Sequence, residues 1–276
     1  MKVAKFFSLI YRKRKFLIFA QDKRKMNRYF IELSYNGRHY HGWQVQPGQP
    51  TIQAALNKAL TTLLRQEIEV TGAGRTDSGV HASFYVAHFD TDSPIENPGH
   101  LVYKLNRLTG KDIAASRIYP VPEHMHARFS ALSRTYKYYI DKQKNPFTCE
   151  YAWHLFPLPD IRLMNEACRI LSDYTDFTSF SKLHTDVKTN LCHIHEAYWE
   201  DTGRQLIFTI KANRFLRNMV RAIVGTLVEI GQGKSTLEDF RRIIESRNRC
   251  NAGTSVPGHA LFLCNIEYPQ ENINDK

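Results

Sequence analysis

The alternation of apolar and polar residues divides the chain into short elements that switch between a period of two and a period of 3.6. Arg28 to Tyr35 alternates and predicts a strand, closed by the turn pair Asn36-Gly37. Beyond the loop Pro47-Gly48-Gln49-Pro50, residues Ile52, Ala55, Leu56, Ala59, Leu60 and Leu63 recur at helical spacing, with Thr51 placed to cap them. Glu67 to Val70 and Ser83 to Val86 read as strands, Ile95 to Leu108 as a helix and Ile113 to Val121 as a strand. The series strand, helix, strand, strand, helix, strand predicts an α/β (α+β) arrangement, with helices packed on one face of a mainly antiparallel sheet.

Pro120-Val121-Pro122 and the polar run His124 to Arg128 mark a junction, dividing the chain into an N-terminal half (28–125) and a C-terminal half (126–276). In the second half Arg134 to Ile140 is strand by β-propensity and Leu163 to Ser172 is helix-like. Thr189 to Trp199 and Leu206 to Ala212 read as a hairpin across Glu200-Asp201-Thr202-Gly203. A helix is expected from about Asn213 to Ile230, with Phe215, Met219, Ile223, Leu227 and Ile230 as its apolar stripe. Leu237 to Ser246 reads as a further helix and Leu261 to Ile266 as a last strand.

Charge changes this picture in one place. The net charge is +11, yet residues 1–27 supply +8 of it and the remainder, with 29 basic and 26 acidic residues, only +3. Binding of a polyanion by the body of the chain must therefore rest on a local patch. The basic segment 1–27 lies ahead of the first convincing strand; it is expected to be an extension, with translation starting at Met26. Five cysteines without a CxxC pair favour a reducing compartment, hence the cytoplasm, and no run reaches the roughly 18 apolar residues of a membrane span.

One stretch asks for a chemical explanation. Thr71 to Ala82 packs three glycines, Arg75, His81 and a carboxylate, Asp77, into twelve residues. Glycine lets a backbone press close to a ligand; a tight strand connection with Asp77 in an Asx-turn is the plainer reading of the spacing. A buried Asp77 needs a cation to keep it ionised. Arg75 is close in sequence, but Arg217 and Arg221, spaced i,i+4 on the expected helix, are better placed to act together. Tyr136 and Tyr138 share one strand face and offer an aromatic platform for a base, or ordinary core packing. Cys192-His193-Ile194-His195 holds zinc-type ligands, but strand alternation separates Cys192 from His193 and no second pair stands at zinc-site spacing. Gly231 to Ser235 echoes a phosphate loop, yet lacks its first glycine and follows a helix, which suits a helix C-cap.

Gly74-Arg75-Thr76-Asp77-Ser78-Gly79-Val80-His81-Ala82, then Arg134 to Tyr138, Asp176 to Phe180, Phe215 to Arg221 and Pro257 to Leu261 form an ordered set. Over roughly residues 28 to 268 the set resembles the TruA family of tRNA pseudouridine synthases. The resemblance implies two α/β domains around a continuous sheet, a homodimer, and no cofactor or metal. It also implies a uridine substrate in the anticodon stem-loop of tRNA, at tRNA positions 38–40. By position it makes Asp77 the essential aspartate, Tyr136 the active-site tyrosine and Arg221 the arginine paired with the aspartate. Arg75 falls beside the flipped nucleotide and Leu261 in the motif lining the base pocket, where Ala260 replaces an expected glycine. Competing expectations are a non-catalytic RNA-binding protein on the same scaffold and a nucleotide-binding enzyme using Gly231 to Ser235.

Overall fold

A single twisted sheet runs through both halves, and its order explains how distant motifs meet. In the computed structural model, residues 26–182 and 189–270 are described. The basic stretch 1–25 lies outside the described residues, and with it the expectation of an extension there. The N-terminal half supplies β1 (Asn27–Tyr35), α1 (Ile52–Leu64), β2 (Thr71–Gly72), β3 (His81–Thr91), α2 (Pro98–Leu108) and β4 (Ile113–Pro120). The C-terminal half supplies β5 (Ser133–Asp141), β6 (Trp153–His154), α3 (Ile161–Leu171), β7 (Ile194–Asp201), β8 (Gln205–Ala212), α4 (Met219–Gly231), α5 (Leu237–Glu245) and β9 (Leu261–Glu267). The sheet order is β4-β1-β3-β9-β5-β8-β7, with β2 added to β3 and β6 to β5.

Along that order every neighbouring pair is antiparallel except β3 and β9. Only His81 with Phe262 and Ala82 with Leu263 pair across this parallel seam. A parallel pair needs a long crossover, and here the crossover comprises α2, β4 and most of the C-terminal half. The last strand thus returns to the strand that leaves the glycine-rich loop.

Two apolar cores flank the seam. In the first, Leu56 and Leu60 of α1 and Leu105 of α2 pack on β1 and β3; in the second, α3, α4 and α5 pack on β5 and β8 through Met164, Ile223, Leu227 and Phe240. β9 serves both, placing Leu261 in the second core and Leu263 and Ile266 in the first. Tyr136 of β5 packs against both cores. α4 buries eleven of its thirteen residues, as expected of a helix that is apolar nearly all round and sits in the interior. Truncating Ile223 or Leu227 to alanine would cost about 2–5 kcal/mol.

Four boundaries differ from the sequence pattern. Glu67 to Val70 is not a strand, because α1 takes its polar groups. Gln53 Nε2 donates to the Val70 carbonyl at 2.8 Å, Val70 N donates to Asn57 Oδ1 at 2.9 Å, and Ile68 N donates to Thr61 Oγ1 at 3.0 Å. α2 starts at Pro98, not Ile95: Asn97 caps it, accepting from His100 N, while Ile95 N donates to the Tyr29 hydroxyl. β7 begins at Ile194, since Leu191 pairs instead with Asp176. α4 begins at Met219, because Asn218 adopts φ +66° and breaks any helix reaching back to Asn213. The Gly231 to Ser235 run is a helix end, with Gly233 N donating to Ile230 O and Lys234 N to Glu229 O, both at 2.9 Å.

Candidate active site

The loop between β2 and β3 is held by its backbone and by its neighbours. Trp43 N donates to Thr76 O at 3.3 Å, Gly79 N to Tyr40 O at 3.3 Å and Val80 N to Asp77 O at 3.2 Å. The Thr76 hydroxyl and the Tyr35 hydroxyl share a buried hydrogen bond of 2.9 Å. Gly42, at φ +83°, is required for this approach: a Cβ there would lie 2.2 Å from the Thr76 carbonyl. With the chain fixed on both sides of it, the Asp77 side chain needs no bond of its own to the loop. Its only hydrogen bond among the described residues comes from Arg221, whose Nη1 stands 3.3 Å from Oδ2.

Arg221 reaches Asp77 from α4, 144 residues along the chain, and it is anchored. Its Nε donates to the Val256 carbonyl at 2.7 Å, which leaves the rest of the guanidinium facing the carboxylate. Gly258 allows the next segment to close over the pair, since a Cβ there would meet Ser78 O at 2.8 Å. Tyr138 donates its hydroxyl to the Pro257 carbonyl at 3.1 Å and is fully buried. Of the two tyrosines expected to form a platform, Tyr138 is therefore a support for the Pro257 to Leu261 motif. Arg217 lies ahead of the helix, so it does not share a helical face with Arg221, yet its Nε still comes within 4.0 Å of Asp77 Oδ1.

Two further residues join the halves beneath the loop. His81 accepts from Gly37 N through Nδ1 at 3.1 Å, and its Nε2 faces the His259 carbonyl at 3.0 Å, which sets Nε2 as the protonated nitrogen. Burial lowers its pKa to about 4, outweighing the hydrogen bond to His259, so this bridge is a neutral imidazole. Arg134 spans the loop base and the approach to α4, with Nη2 on the Ala73 carbonyl at 3.0 Å and Nη1 on the Asn213 carbonyl at 2.8 Å. Beside it, burial pushes the Tyr136 phenol well above its ordinary pKa; the Arg134 guanidinium opposes this and the Asp77 carboxylate adds to it. Tyr136 thus stays a protonated phenol near the carboxylate, its ring set edge-on against Phe215 at 5.1 Å.

Asp77 opens on a cavity of about 1060 Å³, a size suited to a nucleotide turned out of its stack. Among the described residues its walls carry one carboxylate, Asp77, and five cations, Arg75, Lys182, Arg217, Arg221 and Arg249. The weak overall charge of the body therefore hides a concentrated basic site. Arg75 is an exposed lining residue, while Tyr136 and Leu261 are not among the lining residues; Leu261 of β9 pairs with Tyr138 of β5. Sequence reasoning missed Lys182 and Arg249. Lys182 follows Asp176 to Phe180 closely enough to have been flagged; Arg249 carries no local signal. Arg249 is directed by the Ala252 and Gly253 carbonyls, each 3.2 Å from Nη1, and by Ser255 Oγ at 2.9 Å. Among the described residues, no group of three or more His, Cys, Asp or Glu is placed to hold a metal ion. Cys192 is buried and His193 exposed, although both lie ahead of β7, outside the strand whose alternation was expected to separate them.

Residues 33–130 and 167–269 match the family model described as tRNA pseudouridine synthase. The chain is 56% identical over 246 residues to tRNA pseudouridine synthase A of Parabacteroides distasonis, covering 89% of this chain and 98% of that protein. It is 55% identical over 254 residues to the protein of that name from Bacteroides thetaiotaomicron, covering 91% and 94%. The Bacillus subtilis protein of the same name is 40% identical over 241 residues, covering 86% and 97%. With its loop carboxylate, paired arginine and basic cavity, the chain belongs to the family of tRNA pseudouridine synthases, enzymes that isomerise uridine to pseudouridine in tRNA.

Proposed function

We propose that this enzyme modifies uridine in the anticodon stem-loop of tRNA, with Asp77 acting at the ribose. The observation that carries the reading is the Asp77–Arg221 contact at 3.3 Å on the wall of a cavity rich in cations. The reaction breaks the bond between uracil N1 and C1′ and forms a bond from C5 to C1′; the C5 proton leaves and N1 ends protonated, with no net redox change. Asp77 either adds at C1′, to be displaced later by C5, or takes a sugar proton that is afterwards returned. Arg221 keeps it ionised and oriented, with a planar fork that lysine lacks.

Extruding the uridine costs a few kcal/mol. Arg75, exposed in the cavity lining, takes the place or the phosphate of the displaced nucleotide, while Tyr136 and Leu261 supply the apolar surface against which freed uracil turns. As a phenol, Tyr136 donates a hydrogen bond to the base and passes a proton only once the base is bound. The reading includes a homodimer and a cytoplasmic location; no helix among the described residues is long and apolar enough to cross a membrane.

The test is pseudouridine mapping on transcribed tRNA. Product is expected at anticodon-arm uridines and none when those uridines are replaced by cytidine; product confined to other regions overturns the target. Tyr136→Phe is expected to slow a step after glycosidic cleavage, and unchanged single-turnover kinetics would leave Tyr136 a packing role alone.

A further inference from the structure

The two arginines at Asp77 are held in different ways. Arg221 is anchored on the Val256 carbonyl and bonded to Oδ2, with its side chain 23% exposed. Arg217 faces the other oxygen, Oδ1, at 4.0 Å, beyond hydrogen-bond length, with its side chain 51% exposed. Among the described residues its guanidinium makes no hydrogen bond. Its backbone, by contrast, is fixed. The Arg217 carbonyl accepts from Lys182 N at 3.0 Å, Leu216 is buried, and Asn218 is held by Ser255. A rooted side chain with a free head therefore hangs in the cavity beside the carboxylate.

Chemistry says this contact cannot persist through the reaction. A carboxylate with a cation on each oxygen is a poor nucleophile and a poor base, since both lone-pair sets are drawn toward positive charge. Oδ2 is committed to an anchored partner, so Oδ1 is the oxygen free to act, and Arg217 stands in front of it. Among the described residues lining the cavity Asp77 is the only acid, so they offer Arg217 no second carboxylate to move to. The anion able to draw it away is one that arrives with the substrate. A guanidinium is suited to phosphate, which it binds through two parallel hydrogen bonds.

Resting on the reading of Asp77 above, we propose that Arg217 masks Asp77 Oδ1 in the free enzyme and transfers to a backbone phosphate next to the target uridine, so that RNA docking itself exposes the reacting oxygen. Arg217 is then a positioning residue that couples binding to chemistry, distinct from Arg221, which holds the carboxylate throughout.

The test compares wild type, Arg217→Gln and Arg217→Lys on transcribed tRNA, measuring affinity across a salt series and single-turnover rates across an RNA titration. Loss of one phosphate contact lowers the slope of log affinity against log salt by about 1. Arg217→Gln is expected to show that loss, with half-saturation shifted several-fold upward and the rate at saturating RNA held or raised. Arg217→Lys is expected to restore the salt slope. An unchanged slope in Arg217→Gln overturns the proposal, and so does a saturating rate that falls, whatever the slope. Failure of the Asp77 reading looks different: Asp77→Asn would then go on forming pseudouridine at a rate comparable to wild type.

Discussion

Asp77 and Asp176 are both loop carboxylates within short motifs, and both face arginine, but they are satisfied in opposite ways. Asp176 turns inward on its own chain: Oδ1 accepts from Thr178 N at 3.0 Å and from Thr178 Oγ1 at 2.6 Å, and Oδ2 meets Arg247 at 3.1 Å. That is an Asx-type turn, completed within two residues. It sets the single turn Thr178–Phe180, whose Ser179 Oγ donates to Ile243 O at 2.6 Å and whose Phe180 is fully buried. Among the described residues the Asp77 carboxylate accepts nothing from its own loop, and its partners come from 140 or more residues away. A carboxylate that holds a turn spends its lone pairs nearby. One that reacts is kept in place by a loop that does not depend on it.

The largest effect expected from this contrast is at Asp77. Asp77→Asn should bring pseudouridine formation to background while changing unfolding free energy by less than about 1 kcal/mol, as read by urea denaturation. A loss of stability equal to that of an Asp176 mutant would erase the distinction. Next comes the distant partner. Arg221→Ala should cost about 10²–10³ in single-turnover rate, by analogy with removing one donor that stabilises an oxyanion, and Arg221→Lys should recover part of it. A rate within threefold of wild type for Arg221→Ala would remove the arginine from the site.

A smaller effect of opposite kind is expected at the turn. Asp176→Ala should destabilise by about 1–2 kcal/mol, as for loss of a local cap, and the rate per folded molecule should stay near wild type. The last way to sharpen the comparison is pH. His81, part of the scaffold that replaces local bonds around Asp77, has its folded pKa lowered by burial to about 4, and burial lowers that of His88 to about 4 as well. Groups of this kind bind protons first in the unfolded chain, whose histidines titrate near 6.5. Their contribution is fully present above that value and is lost as pH falls toward 4. Urea midpoints should be flat above pH 7 and fall below pH 6.5, and His81→Asn should flatten part of the fall.

Much of this was legible because local pattern and tertiary fold agree. The hairpin of β7 and β8, the cap at Thr51 and the apolar stripe of α4 from Met219 to Ile230 follow from period and capping alone, whereas Phe215, expected on that stripe, lies ahead of the helix. Where the pattern failed, side chains had intercepted backbone groups, as Gln53 and Asn57 do at Val70. In the site, Asp77 alone looked like a turn residue, since its spacing resembles the arrangement that Asp176 in fact adopts. Arg217 and Arg221 were reached through a helical spacing that the left-handed Asn218 interrupts. Their meeting with Asp77 depends instead on the two-residue seam between β3 and β9, a contact across most of the chain. Arg134, whose guanidinium ties Ala73 to Asn213, gave no signal beyond its place in a motif.

The central claim is that Asp77 does chemistry at the target ribose and little for the fold. Tritium release from tRNA carrying uridine labelled at C5 measures it directly, because that hydrogen leaves only if C5 bonds to the sugar. The wild-type enzyme should release tritium from anticodon-arm uridines, and Asp77→Asn, folded and binding tRNA, should release none. Release by Asp77→Asn at a rate comparable to wild type would contradict the claim.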